Sequence, residues 1–271
     1  MEQRIAWDQL PLDLRAAVEK RTGPILDAST ASAGENSPLA ATITTADGKT
    51  FVKGVPSNHR RVVTQEREAA IAPLVHGLSP ELRWHFDEAG WNVLGYEHID
   101  GRHADYTPDS TDPEHLVPLM TALGEIELTE PGLFKIAEDR WKTYVGAPAT
   151  ARLFSGNALT HTDWAPHNVL ITADGPRLID WAWPTLGAAW TDPAHWIIRL
   201  IAAGHTAEQA EQLAARVPAY SAADPTHIDA FAAANVRLWD EIAHAAAGTR
   251  TWVPAMAAAA RAWDASRRTM R

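Results

Sequence analysis

Residues 158–184 read Ala158-Leu-Thr-His161-Thr-Asp163-Trp-Ala-Pro-His167-Asn168-Val-Leu-Ile-Thr-Ala-Asp-Gly-Pro-Arg-Leu-Ile-Asp180-Trp-Ala-Trp-Pro184, and the fold is decided here. Asp163, Asn168 and Asp180 are set among two short apolar runs, Val169-Leu170-Ile171 and Leu178-Ile179. A Thr-Ala-Asp-Gly turn joins the runs. Asp-Gly between β-type segments signals a tight hairpin, so the stretch reads as loop, strand, turn, strand. A hairpin brings the loop before its first strand beside the residue that closes its second. Two carboxylates and an amide are therefore expected to converge.

Phosphoryl transfer needs such a set. A carboxylate orients and deprotonates the attacking hydroxyl, and hard oxygen ligands hold Mg²⁺ against the nucleotide phosphates. His161-x-Asp163-x-x-x-x-Asn168 has the spacing of the protein-kinase catalytic loop, and Asp180 stands where the Asp-Phe-Gly aspartate would, followed here by Trp181-Ala182. Together these features resemble the aminoglycoside phosphotransferase and choline kinase group. The resemblance implies an α+β, bilobal protein-kinase-like fold: a small antiparallel-sheet nucleotide lobe over residues 1–98 and a mostly helical lobe over 99–271 with the catalytic loop and acceptor site. It also implies transfer of the γ-phosphoryl group of ATP, with Mg²⁺, to a hydroxyl of a small molecule, an aminoglycoside or related antibiotic first, with choline, a sugar or homoserine as the alternative. Asp163 would be the catalytic base, and Asn168 and Asp180 the metal ligands. Two other readings stay open: His161, Asp163 and His167 as ligands of a metal-dependent hydrolase, and a non-catalytic nucleotide-binding protein.

The 24 basic and 34 acidic residues give a formal charge of -10. No Lys/Arg run is available to neutralise phosphates, which argues against a nucleic-acid partner. The acidic balance favours a cationic acceptor by long-range attraction. Without cysteine, neither disulfides nor a thiolate metal site can form. No apolar run approaches a membrane span and the N-terminal residues lack a signal-like apolar core. A cytoplasmic protein that avoids membranes, as monomer or weak dimer, is expected.

Upstream, Leu14, Ala17 and Val18 have helical spacing after Pro11-Leu12-Asp13, and Gly23-Pro24 ends that element. Short β-type runs follow at Ile25-Leu26, at residues 39–45 and at 50–55, the last two joined by an Ala46-Asp47-Gly48-Lys49 hairpin signal. The small, polar stretch 29–38 suits a loop over a phosphate tail. By the resemblance, Ser37 is its phosphate-contacting end. Lys53 is one of five lysines and lies in the apolar run Thr50-Phe-Val-Lys53-Gly-Val55, where a kinase places its phosphate-binding lysine. The helical stretch 59–76 would supply its acidic partner, and Glu68 matches the family segment better than Glu66. Trp91 to Gly101 reads as a strand running into an Asp-Gly turn. By the resemblance, it offers the Glu97 carbonyl and the Ile99 amide to adenine.

Downstream, helical periodicity covers residues 115–127 and resumes from Arg140. Asp192 is read as the cap of a further helix, with the family's aspartate there bracing the catalytic loop. The Ala-rich chain from Thr206 to Arg271 should form helices beside the acceptor. There Asp224, Asp229, Asp240, Glu241 and Asp264 are candidates for substrate amines, and Trp183 or Trp190 for an aromatic wall against a cation.

Overall fold

The computed structural model describes residues 4–31, 37–246, 248 and 250–269. Its packing separates the chain into two compact units: residues 1–100 with 179–182, and residues 101–178 with 183–271.

The first unit opens with helix α1 (Leu12–Thr22), which Gly23 ends at φ 85°. Strands β1 (Asp27–Thr30), β2 (Leu39–Thr45) and β3 (Gly48–Pro56) follow, then helix α2 (Val62–Ile71) and strands β4 (Leu82–Glu88) and β5 (Trp91–Glu97). They form an antiparallel sheet in the order β1-β2-β3-β5-β4. The expected hairpin at 46–49 joins β2 to β3, with Thr45 opposite Gly48. The expected strand at Ile25-Leu26 begins instead at Asp27. Strand β4, on the sheet edge, has no counterpart in the sequence reading. Alternation along β2, β3 and β5 turns Leu39, Ala41, Ile43, Val52 and Val93 into a core shared with Leu10, Leu14 and Val18. Burying each leucine, isoleucine or valine of this core contributes roughly 1.5–3 kcal/mol.

The second unit contains two small sheets and most of the helices. In chain order its elements are β6 (Arg102–His103), α3 (Asp112–Gly124), β7 (Lys135–Ile136), α4 (Ala137–Trp141), α5 (Pro148–Ala151), β8 (Ala158–Thr160), β9 (Val169–Thr172), β10 (Gly175–Leu178) and β11 (Thr185–Gly187). Helices α6 (Thr191–Ala202), α7 (Ala207–Ala214), α8 (Pro218–Ser221), α9 (Pro225–Ala246) and α10 (Val253–Thr269) complete it. The expected hairpin is β9-β10, turning at Ala173-Asp174 with Gly175 at φ 103°. Strand β11 pairs with both β7 and β8, placing the start of α6 directly behind the 161–163 loop. The helical periodicity read from Arg140 onward is short in fact: α4 ends at Trp141 and α5 spans only Pro148–Ala151. Among the described residues no helix is long and apolar enough to cross a membrane.

Candidate functional site

The candidate residues fall into two sets, one in each unit. In the first, β3 carries Lys53 with its side chain 15% exposed, and α2 carries Glu68, 4% exposed. Lys53 Nζ lies 2.7 Å from Glu68 Oε1 and 3.0 Å from Asp180 Oδ1. The Tyr96 hydroxyl donates to Glu68 Oε2 at 3.3 Å. Glu66 is exposed on the same helix, so Glu68 is the partner the fold selects. Burial alone would lower the Lys53 ammonium, but the carboxylates of Asp180 and Glu68 outweigh it and hold its pKa above the usual lysine value. Burial pushes the Glu68 carboxyl up, opposed by Lys53. A buried ammonium with two carboxylates is a fixed charge cluster. Asp180 adopts φ 66°, an uncommon conformation for a side chain other than glycine.

In the second unit, β8 leads into the 161–163 loop, where Thr162 has φ 68°. Asp192, 3% exposed, accepts the His161 N–H on Oδ2 and the Thr162 N–H on Oδ1, each at 2.8 Å. This corrects its reading as a helix cap. Trp190 occupies the cap of α6, and the Asp192 carboxylate serves the loop. Burial pushes the Asp192 carboxyl above the usual range, against the two N–H groups, which pull it down. Arg140 adds a second support, with Nη1 at 2.6 Å from Thr162 Oγ1 and 2.7 Å from Thr185 Oγ1. Asn168 is buried and donates from Nδ2 to the Asp163 carbonyl at 3.0 Å, which leaves its own carbonyl oxygen as an acceptor. The Asp163 side chain, 38% exposed, meets Arg199 Nη2 at 2.7 Å through Oδ1.

The remaining candidates are placed less informatively. Ser37 is buried just before β2, and residues 32–36 of the expected phosphate loop lie outside the described residues. Glu97 ends β5 opposite Thr50, and its side chain accepts the Glu81 N–H at 2.8 Å; Ile99 follows in the segment after the strand. Among the described residues no group of three or more His, Asp or Glu side chains could hold a metal ion. The set of His161, Asp163 and His167 required for the hydrolase reading is therefore not assembled. For Mg²⁺ the demand is smaller, since that ion retains waters and needs one or two hard oxygens. Asp180 in the first unit and Asn168 in the second each carry an oxygen of that kind.

The candidates for binding substrate amines are engaged internally. Asp224 accepts from Thr226 N and Oγ1 at 2.8 and 2.7 Å, and Asp229 pairs with Arg267. Asp240 pairs with Arg261, Asp264 pairs with Arg268, and Glu241 accepts from the Tyr144 hydroxyl. Trp190 is buried edge-on to Phe154 and Phe231, and Trp183 has Lys135 Nζ 4.7 Å above its ring. Sequence reasoning missed Tyr96, Arg140 and Arg199. The available signal for Arg199 was a lone charge in Trp196-Ile-Ile-Arg199-Leu-Ile, but nothing in that run names its partner.

No family model matches the sequence, and no curated protein does. Solved structures do. The AMP complex of LicA superposes at TM-score 0.63 with 14% identity, over 94% of this chain and 97% of that one; LicA is the choline kinase of Streptococcus pneumoniae. An aminoglycoside phosphotransferase from Alicyclobacillus acidocaldarius gives 0.63 with 15% identity, covering 97% of each chain. A thermostable mutant of aminoglycoside phosphotransferase APH(4)-Ia, in ternary complex with AMP-PNP and hygromycin B, gives 0.57 with 14% identity, over 91% and 97%. The chain has the kinase-like fold of the choline kinases and aminoglycoside phosphotransferases. These likenesses extend over nearly the whole length, so the α+β, bilobal architecture is that of the small-molecule kinases.

Proposed function

We propose that this protein is an ATP-dependent phosphotransferase that moves the γ-phosphoryl group to a hydroxyl of a small molecule. One observation carries the reading: a buried lysine held between Glu68 and Asp180 at 2.7 and 3.0 Å, on the strand where a kinase holds its phosphate-binding lysine. The two solved relatives that carry AMP and AMP-PNP support it.

Lys53, fixed by Glu68, offers its ammonium to the α- and β-phosphates. Asp180 and the Asn168 carbonyl would hold Mg²⁺, which when bound neutralises charge on the β- and γ-phosphates. Asp163 orients the acceptor hydroxyl and takes its proton. As the oxygen–phosphorus bond forms, the bond to the bridging oxygen breaks and ADP leaves with that electron pair. Glu97 and Ile99 would offer backbone groups to adenine, and Ser37 would meet the phosphates. The acceptor is a small hydroxylated molecule. An aminoglycoside or related antibiotic is the first class to screen, followed by choline, sugars and homoserine-like metabolites. A cytoplasmic site of action, where ATP is abundant, fits this chemistry.

The test combines MgATP binding with an ADP-release screen over hydroxylated amines, antibiotics and sugars. Asp163→Ala is expected to lower turnover by about 10²- to 10⁴-fold, the usual worth of a general base, while MgATP still raises the melting temperature. Asp180→Ala is expected to abolish that thermal shift. Retained turnover in Asp163→Ala refutes the assignment.

A further inference from the structure

Arg199 occupies an unusual position. It projects from α6 and places Nη2 2.7 Å from Oδ1 of Asp163, with its side chain only 15% exposed. Its Cζ lies 5.6 Å from the ring centre of Trp239 on α9 and 5.7 Å from that of Trp252, just before α10. The two rings stand 6.0 Å apart at 75°, so the guanidinium sits against an aromatic corner. Trp252 is 43% exposed, which leaves part of that corner open. A guanidinium within about 6 Å of a ring face is held by cation–π attraction.

Its hydrogen bonding is incomplete. Guanidinium offers five N–H donors in a rigid fork. Asp163 takes one, and Nη1 is 3.6 Å from the Met256 sulfur, a weak acceptor. Among the described residues no other oxygen accepts from Arg199. A largely enclosed cation with one strong partner still has donors for a second oxyanion, and carboxylate and phosphate match the fork.

The surrounding charges point the same way. A cationic acceptor at Asp163 would meet the Arg199 charge at close range. The acidic side chains expected to receive its amines are already paired with Arg261, Arg267 and Arg268, or bonded to Thr226 and Tyr144. We propose that Arg199, Trp239 and Trp252 form an acceptor subsite that selects a hydroxylated compound carrying an oxyanion, a carboxylate or phosphate monoester. In this arrangement the oxyanion takes the unfilled donors of Arg199, the body of the acceptor lies on the tryptophan faces, and its hydroxyl is presented to Asp163. The acceptor is then a hydroxy acid or phosphate ester rather than the cation that the net charge favours. This inference rests on the phosphotransferase reading and deepens it.

The experiment uses the full chain and four matched acceptors: glucuronate, glucose 6-phosphate, glucose and glucosamine, in an ADP-release assay with MgATP. The wild type is expected to favour at least one oxyanion member over both glucose and glucosamine by about tenfold in kcat/KM, the order of a charge-assisted hydrogen bond. The preferred member tells carboxylate from phosphate. Arg199→Met should erase that preference through KM, and Arg199→Lys should restore part of it. Circular dichroism and melting temperature confirm that each variant folds. A residue that merely positions Asp163 would lower kcat for all four alike, and that result overturns the proposal. So does a preference for glucosamine, equal use of all four, or turnover of none while MgATP still raises the melting temperature. Failure of MgATP to stabilise the wild type removes the phosphotransferase reading itself.

Discussion

Replacing Asp192 with asparagine tests whether the 161–163 loop is held from behind. The carboxylate is 3% exposed, and its two oxygens accept separate backbone N–H groups at 2.8 Å. Asparagine keeps one acceptor oxygen and turns an NH₂ toward the other N–H, so one buried donor loses its partner and meets a second donor. A buried unsatisfied donor costs about 1–3 kcal/mol, and the surviving bond loses its charge assistance. The expected loss of stability is therefore about 2–4 kcal/mol. Thr162, at φ 68°, holds a conformation that itself costs on the order of 1–3 kcal/mol. Freed from one anchor, the loop is expected to relax toward ordinary backbone angles and carry Asp163 out of position. Displacement by about an ångström lowers kcat on the order of 10²-fold. Urea denaturation gives the stability and the ADP-release assay gives kcat. A variant within about 0.5 kcal/mol of wild type and with unchanged kcat refutes the bracing argument.

Two further expectations concern stability. His195 packs against Trp141 and Phe231 with Nε2 enclosed, and burial, aided by Arg140 and Arg199, holds its pKa well below the usual 6.5. The unfolded chain thus takes up a proton that the folded one refuses. Stability should fall as pH drops from about 6.5 toward the depressed value, by at most ~1.4 kcal/mol per pH unit. Urea midpoints between pH 7 and 5.5 should show this slope in the wild type and lose it in His195→Leu; parallel curves refute the assignment. A Cβ on Gly156 would lie 2.5 Å from the Gly187 carbonyl oxygen and 2.7 Å from the Ala188 nitrogen, backbone atoms at the end of β11 and just after it. Gly156→Ala should cost about 3 kcal/mol by overpacking, read from the shift in melting temperature, and a variant as stable as wild type contradicts the close approach.

The parts of the fold that could be read from the sequence are those with local chemistry. Asp47-Gly48 and Asp174-Gly175 mark two of the hairpins because a tight turn needs such residues at fixed offsets, and short apolar and β-branched runs mark β2, β3 and β5. Strand β4 was missed although Leu82, Trp84 and Phe86 alternate with Arg83, His85 and Asp87 ahead of Ala89-Gly90, a period-two signal of a half-buried strand. Lys53 and Glu68 could be matched because strand and helix order fix their positions. Arg199 could not, since its partner lies 36 positions away and periodicity reports only which face a residue occupies. The same limit applies to Asp229 and Asp240: read singly they resemble substrate ligands, and only the packing of α9 and α10 shows their arginine partners.

Helix α6 links these observations. The 161–163 loop follows β8 and contains a left-handed residue, so no ladder or helical turn holds it. Its position must come from side chains on another element. Asp192 in the first turn of α6 grips the N–H groups of His161 and Thr162, and Arg199, seven residues later, grips the carboxylate of Asp163. Seven residues are two turns, so the two grips share one face and are about 10 Å apart along a rigid rod. One end fixes the backbone of the loop and the other meets the side chain of Asp163. Rotating that face by inserting one residue between 193 and 198 would turn Arg199 about 100° away while Asp192 kept its hold. Such an insertion should preserve MgATP binding, assigned above by proposal to Lys53, Glu68 and Asp180, and, like Arg199→Met, erase the preference for an oxyanion acceptor. Loss of MgATP binding as well would mean that α6 supports the whole fold rather than placing Arg199.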